Sequence, residues 1–127
     1  MSEILLLLVE DEALLHIVLE EALTEGGFQV VVANNGTQAI EELNKDAERF
    51  KGVLTDIRLG AGPSGWDVGH RARELVPNMP IVYMSGDSSF EWSANGVPNS
   101  LMIGKPFANV QILTAISQLI NESNVSA

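Results

Sequence analysis

The sequence predicts an α/β fold in which a mostly parallel sheet is covered by helices on both faces. Three observations predict it. Five short apolar runs alternate with stretches of helical spacing. The runs are continuous, as expected of strands buried on both faces. The chain has 127 residues, 46% of them apolar, which is enough for one compact domain and too few for a second of ordinary size. Five successive βα units force parallel strands, because each crossover must be right-handed.

The elements follow in order. Ile4 to Val9 reads as the first strand, and the helical pattern of 12–26 ends at Gly26 and Gly27, which suit a left-handed turn. Phe28 to Ala33 is the second strand and 36–49 the second helix. Val53 to Asp56 is the third strand, followed by a helix over 65–76 whose start is marked by Ser64 and Asp67, spaced as a capping box. Ile81 to Ser85 is the fourth strand, and Ser88 with Glu91 has the same box spacing before a helix over 88–95. Leu101 to Ile103 and a helix over 108–121 complete the pattern, and the polar tail NESNVSA follows.

Composition excludes several classes. There are no cysteines, so neither disulfides nor thiolate metal sites are available, which fits the cytoplasm. The start MSEILLLLVEDE has no basic leader, and its apolar run is too short for a signal peptide or a membrane span. The net charge is −10, from seven Lys and Arg against seventeen Asp and Glu, and the basic residues form no stripe. Neither nucleic acid nor a membrane is therefore expected as a partner.

Four polar clusters each follow one of the apolar runs: Glu10 with Asp11, then Asp56, then Ser85, then Lys105. Parallel strands would gather all four at one edge of the sheet, where open α/β folds bind ligands. Carboxylates at about 4 Å repel by roughly 1 kcal/mol in water and by more where solvent is scarce. A divalent cation relieves that repulsion, and oxygen-only ligands suit Mg²⁺. Taken alone, the first cluster reads more plainly as acids favouring a helix start. Asp56 changes the balance, since a strand-end carboxylate beside metal ligands can act as a nucleophile and form an aspartyl-phosphate. Ser85 and Lys105 can each hold a phosphoryl oxygen, and positioning with charge neutralisation is most of what phosphoryl transfer needs. Singly they read as a turn residue and a solvated lysine; in this order at strand ends, coincidence is the weaker explanation.

VEDE, LTDIRLGAGPSG, IVYMSG and GKPF, in that order, resemble the motifs of the receiver domain of two-component response regulators, over about residues 3–121. The resemblance implies a flavodoxin-like, doubly wound, five-stranded parallel sheet of order 2-1-3-4-5 flanked by five helices. It makes Asp56 the phosphoacceptor, served by a sensor histidine kinase or a histidine phosphotransfer protein. It makes Asp11, Asp56 and the Arg58 backbone carbonyl ligands of Mg²⁺, for which Mn²⁺ can substitute, with Glu10 acting through a metal-bound water. Ser85 and Lys105 would contact the phosphoryl group. The peptide before Pro106 would be cis, which a proline permits. Residues 1–127 are then expected to form a stand-alone cytoplasmic receiver with no DNA-binding output domain. Such a chain signals to a downstream protein and catalyses only its own phosphorylation and dephosphorylation.

The chain departs from the family pattern in two places. Glu10 stands where many receivers have aspartate, and its extra methylene still reaches a metal-bound water. Met102 stands where an aromatic ring usually swings inward, so signalling is expected to run through the segment from Ser85 to Trp92; methionine can repack into the same gap. Two other function classes are weaker. Aspartyl-nucleophile phosphatases typically carry a second acid two residues after the nucleophile, where this chain has Arg58. Residues 60–65 spell GxGxxG, but Pro63 and the distance from the strand end disfavour a dinucleotide site and leave a flexible loop.

Three surface features remain. Leu14, Leu15, Ile17, Val18 and Leu19 are more apolar residues than one buried stripe needs, so part of the first helix is a candidate docking face for a helical kinase bundle. A helix wedged deeply between sheet and loops would explain them equally well. Phe90 and Trp92 cannot both pack on the sheet, so one ring is expected to be exposed. Arg58 and Asp87 are expected to pair across the mouth of the site.

Overall fold

The computed structural model describes residues 4–86 and 92–125. Five strands, β1 (Ile4–Val9), β2 (Phe28–Ala33), β3 (Gly52–Asp56), β4 (Ile81–Ser85) and β5 (Leu101–Gly104), form one parallel sheet of order β2-β1-β3-β4-β5. The helices are α1 (Ala13–Glu25), α2 (Gly36–Asp46), α3 (Gly65–Leu75), α4 (Trp92–Asn95) and α5 (Asn109–Val125). Four of them are full-length; the fourth expected helix is represented, among the described residues, by the single turn α4. Asp87, Ser88, Phe90 and Glu91, with the capping box, the ring and the ion pair expected there, lie outside the described residues.

The alternation of each strand sorts the core into two layers. Leu7, Val9, Val53, Ile81 and Tyr83 pack with Ala39 and Leu43 of α2 and with Val68 and Ala72 of α3. Leu6, Leu8, Leu54, Val82 and Met84 face the other way, onto Leu19 and Leu23 of α1 and Ile112, Ile116 and Ile120 of α5. Residues apolar on both sides of the pleat are what made these strands legible as continuous runs.

Helix ends follow local chemistry. Gly26 and Gly27 close α1, with Gly27 at φ 97°. Ser64 and Asp67 form a complete capping box at the start of α3. The expected helix over 36–49 is interrupted: α2 ends at Asp46, and a 3₁₀ turn, Ala47–Arg49, carries the chain to the buried Phe50. Among the described residues, no helix is long and apolar enough to cross a membrane.

Candidate functional site

The chain leaves β1 for β2 on one side, while β3 lies on the other, so a crevice opens beyond the carboxyl ends of β1 and β3. Glu10 and Asp11 enter it directly after β1, and Asp56 is the last residue of β3. Glu10 is fully buried; its backbone N–H donates to the Ala33 carbonyl (3.1 Å), and its Oε2 accepts from the Glu12 N–H (3.1 Å). Its Oε1 is buried and accepts no hydrogen bond. Asp56 is also buried, with Oδ1 accepting from the Ile57 N–H at 2.9 Å. Asp11 is exposed, and each of the three acids presents an oxygen within 4.8 Å of the others.

Lys105 reaches this cluster from the loop after β5. Its Nζ donates to Asp56 Oδ2 at 3.1 Å and lies 3.6 Å from Glu10 Oε1 and 3.7 Å from Glu12 Oε1. Its backbone N–H donates to the Ser85 carbonyl at 2.8 Å, continuing the pairing in which Ser85 faces Gly104. Ser85 is buried at the end of β4, and the Lys105–Pro106 peptide is cis. Arg58 is exposed two residues after Asp56. Glu10, Asp11, Asp56, Ser85 and Lys105 thus converge on one sheet edge, with Arg58 just beyond it.

Burial sets the electrostatics. Loss of solvent pushes the Glu10 carboxyl up to about 7, with Asp56 and Asp11 adding to the rise and the Glu12 N–H and Lys105 opposing it. Asp56 is raised for the same first reason, against the pull of Lys105 and the Ile57 N–H. Burial alone would lower the Lys105 ammonium, but Asp56 and Glu10 outweigh it and hold the group above its ordinary value. The site is short of positive charge.

A divalent cation fits this donor set. The oxygens are hard, they are close enough to share one ion, and the buried Glu10 Oε1 accepts no hydrogen bond, with only the Lys105 ammonium near it at 3.6 Å.

Comparison with known proteins decides the family. The response regulator receiver domain model matches residues 6–117. The chain belongs to that family. Receivers are signalling domains of two-component systems that interact with histidine kinases or phosphotransfer proteins, and they generally bind Mg²⁺ at an acidic pocket. A response regulator receiver protein from Sinorhizobium medicae WSM419 is 47% identical, with a TM-score of 0.93 over 96% of this chain and 98% of that one. The receiver domain of the sensor histidine kinase PA1611 from Pseudomonas aeruginosa, solved with magnesium in its active-site cleft, shares the fold (22% identity, TM-score 0.81, covering 94% and 99%). The transcriptional regulatory protein CusR from Escherichia coli K12 is 30% identical over 91% of this receiver and 50% of its own length. The receiver spans from about a quarter to about half the length of the curated relatives it matches.

The glycine-rich loop finds a physical explanation. The glycines of residues 60–65 serve the backbone: Gly60 and Gly62 have φ of 77° and 93°. A side chain at Gly65 would collide with the Asp56 carbonyl, and Pro63 packs on Gly36 at the start of α2. The loop expected to be flexible is therefore seated on the neighbouring helix.

Sequence reasoning missed the reach of Glu12 to Lys105. Glu12 sits at the N-cap of α1 without making a side-chain cap. The available signal was a third acid in succession, more than a helix start requires.

Proposed function

We propose that this receiver accepts a phosphoryl group on Asp56 from a phosphohistidine of a sensor kinase or phosphotransfer protein, in a Mg²⁺-dependent reaction, and signals by contact with a downstream protein. Residues 1–127 are read as one such domain. The observation that carries the proposal is the placement of Asp56. Its Oδ1 is fixed by the Ile57 N–H, and its Oδ2 meets Lys105 at 3.1 Å beside two further acids.

Asp11, Asp56 and the Arg58 backbone carbonyl would hold the metal, with Glu10 acting through a water. Bound there, Mg²⁺ would neutralise the carboxylates and take up charge on the phosphoryl oxygens. Attack by an Asp56 oxygen forms the O–P bond as the N–P bond to the donor imidazole breaks, its electron pair returning to the departing nitrogen. Lys105 then follows a phosphoryl oxygen away from Asp56, and the Ser85 hydroxyl donates to another. Leu14, Ile17 and Val18 on α1 are exposed to 81%, 53% and 48% and lie on the helix that starts at this site, which supports α1 as the docking face for the donor.

Intact mass after incubation with Mg²⁺ and acetyl phosphate tests the reading. One added phosphoryl group, labile to alkali and absent from Asp56→Asn, is expected. A native protein that binds Mg²⁺ yet gains no mass from either acetyl phosphate or a phosphorylated histidine donor would refute it.

A further inference from the structure

The strand that ends at Ser85 carries the chain's one tyrosine two residues earlier, on the same face of the sheet. Tyr83 is fully buried and tilts against Trp66, with ring centroids 4.8 Å apart at 55°. Its hydroxyl accepts from the Val97 N–H at 3.2 Å. The Val97 carbonyl accepts from Ser100 Oγ at 2.6 Å, and Ser100 Oγ in turn accepts from Trp92 Nε1 at 2.9 Å. Both backbone groups of Val97 are therefore held by side chains, one from β4 and one from the corner between α4 and β5. Helix α3 braces the same corner, through His70 at the Asn95 carbonyl and Arg73 at the Pro98 and Asn99 carbonyls.

The ring of Tyr83 has no room to swing. A side chain at Gly69 of α3 would collide with its hydroxyl, so the hydroxyl occupies the space that glycine leaves. Tyr83 is also the cross-strand partner of Met102. An aromatic ring thus stands beside the β5 position that lacks one, and it is fixed where a switching side chain must be free to turn.

We propose that Tyr83 is a rigid strut tying the site end of β4 to the Trp92–Ser100 corner. A displacement of Ser85 then reaches Trp92 through the Tyr83 hydroxyl and Val97, without a rotamer change at Met102. The proposal rests on phosphorylation at Asp56 and specifies how that event leaves the site.

The test uses the full chain labelled with 5-fluorotryptophan and read by ¹⁹F NMR, the Trp92 resonance being assigned with Trp92→Phe. Beryllium fluoride with Mg²⁺ serves as the phosphoryl mimic, and phosphorylation by acetyl phosphate is followed by intact mass in parallel. The native Trp92 resonance is expected to shift on adding the mimic. Tyr83→Phe and Ser100→Ala are expected to gain the same phosphoryl mass while losing that shift, and Met102→Ala to keep it. A shift equally large in Tyr83→Phe, or none in native protein that gains the mass, overturns the strut. Absence of the mass gain with acetyl phosphate and with a phosphorylated histidine donor alike instead removes the Asp56 reading itself, so the two failures are distinguishable.

Discussion

Asp56 and Lys105 are 49 residues apart in sequence, yet the ammonium of one donates to the carboxylate of the other at 3.1 Å. Lys105 also faces Glu10 and Glu12, so it is the counter-charge for a group of acids. A donor aimed at developing phosphoryl charge is worth about 10²- to 10³-fold in rate. Lys105→Ala is expected to slow phosphorylation by acetyl phosphate by about 10²-fold. Mass-resolved time courses at saturating Mg²⁺ would show it, and an unchanged rate would mean that Lys105 only balances charge at rest.

Glu10 gives the metal-free protein a pH dependence of definite sign. Its carboxyl lies near 7 in the folded chain against 4.5 for an ordinary glutamate, so between those values the folded state binds the extra proton. Stability falls wherever the folded state holds more protons than the unfolded one as pH rises. The contribution is fully present below about pH 4.5 and lost as pH passes through about 7, and a shift of this size corresponds to roughly 3 kcal/mol. Asp56, raised in the same direction, adds to the effect. Denaturant titrations without metal should give lower stability at about pH 8 than at about pH 5, and added Mg²⁺ should raise Tm more at the higher pH. Equal Mg²⁺ effects at both would argue that the ion does not engage Glu10.

Glu10→Gln keeps the shape and removes the charge. In metal-free protein above pH 7 it should stabilise the fold by about 1–3 kcal/mol, because it relieves a buried carboxylate. The same substitution should weaken Mg²⁺ binding, measured by calorimetry. A variant less stable than native at that pH would contradict the electrostatic account of the site.

Gly69→Ala tests how tightly α3 closes on β4. Alanine is favoured over glycine within a helix by about 1 kcal/mol, whereas overpacking a filled core costs about 1–3 kcal/mol. The added methyl would meet the Tyr83 hydroxyl, so net destabilisation is expected by urea denaturation, with Gly69→Ala in a Tyr83→Phe background recovering part of it. Stabilisation by alanine in the native background would show that the space over Gly69 is open.

Replacing Leu14 and Ile17 with aspartate separates docking from chemistry. Both side chains are exposed, so stability should change by less than about 0.5 kcal/mol per site. The reaction with acetyl phosphate should be unaffected, while transfer from a phosphorylated histidine donor should slow. Equal transfer rates for native and double variant would remove α1 as the docking face.

Much of this arrangement is legible in the sequence because the strands are apolar on both sides and their polar residues come at the ends. The runs ending at Val9, Asp56 and Ser85 locate the site before any packing is known. What resists reading depends on partners far apart in the chain. The Tyr83 hydroxyl meets the Val97 N–H only because β4 lies beside the α4–β5 corner, and nothing in IVYM announces that bond. The helix break after Asp46 depends on where Phe50 finds the core. The spacing of glycines in residues 60–65 imitates a nucleotide motif, but it answers to the Asp56 carbonyl and to backbone turns.

β5 is one of the two edge strands, four residues long and hydrogen-bonded only to β4, and Lys105 follows directly after it. Edges of this kind open locally at lower free energy than the centre of a sheet. The counter-charge of the acidic crevice is thus carried by one of the least anchored parts of the framework, while the acids themselves follow central strands. On heating, competence to take up phosphate should fade before the cooperative melt, making phosphate uptake a more sensitive thermometer of this protein than its circular dichroism.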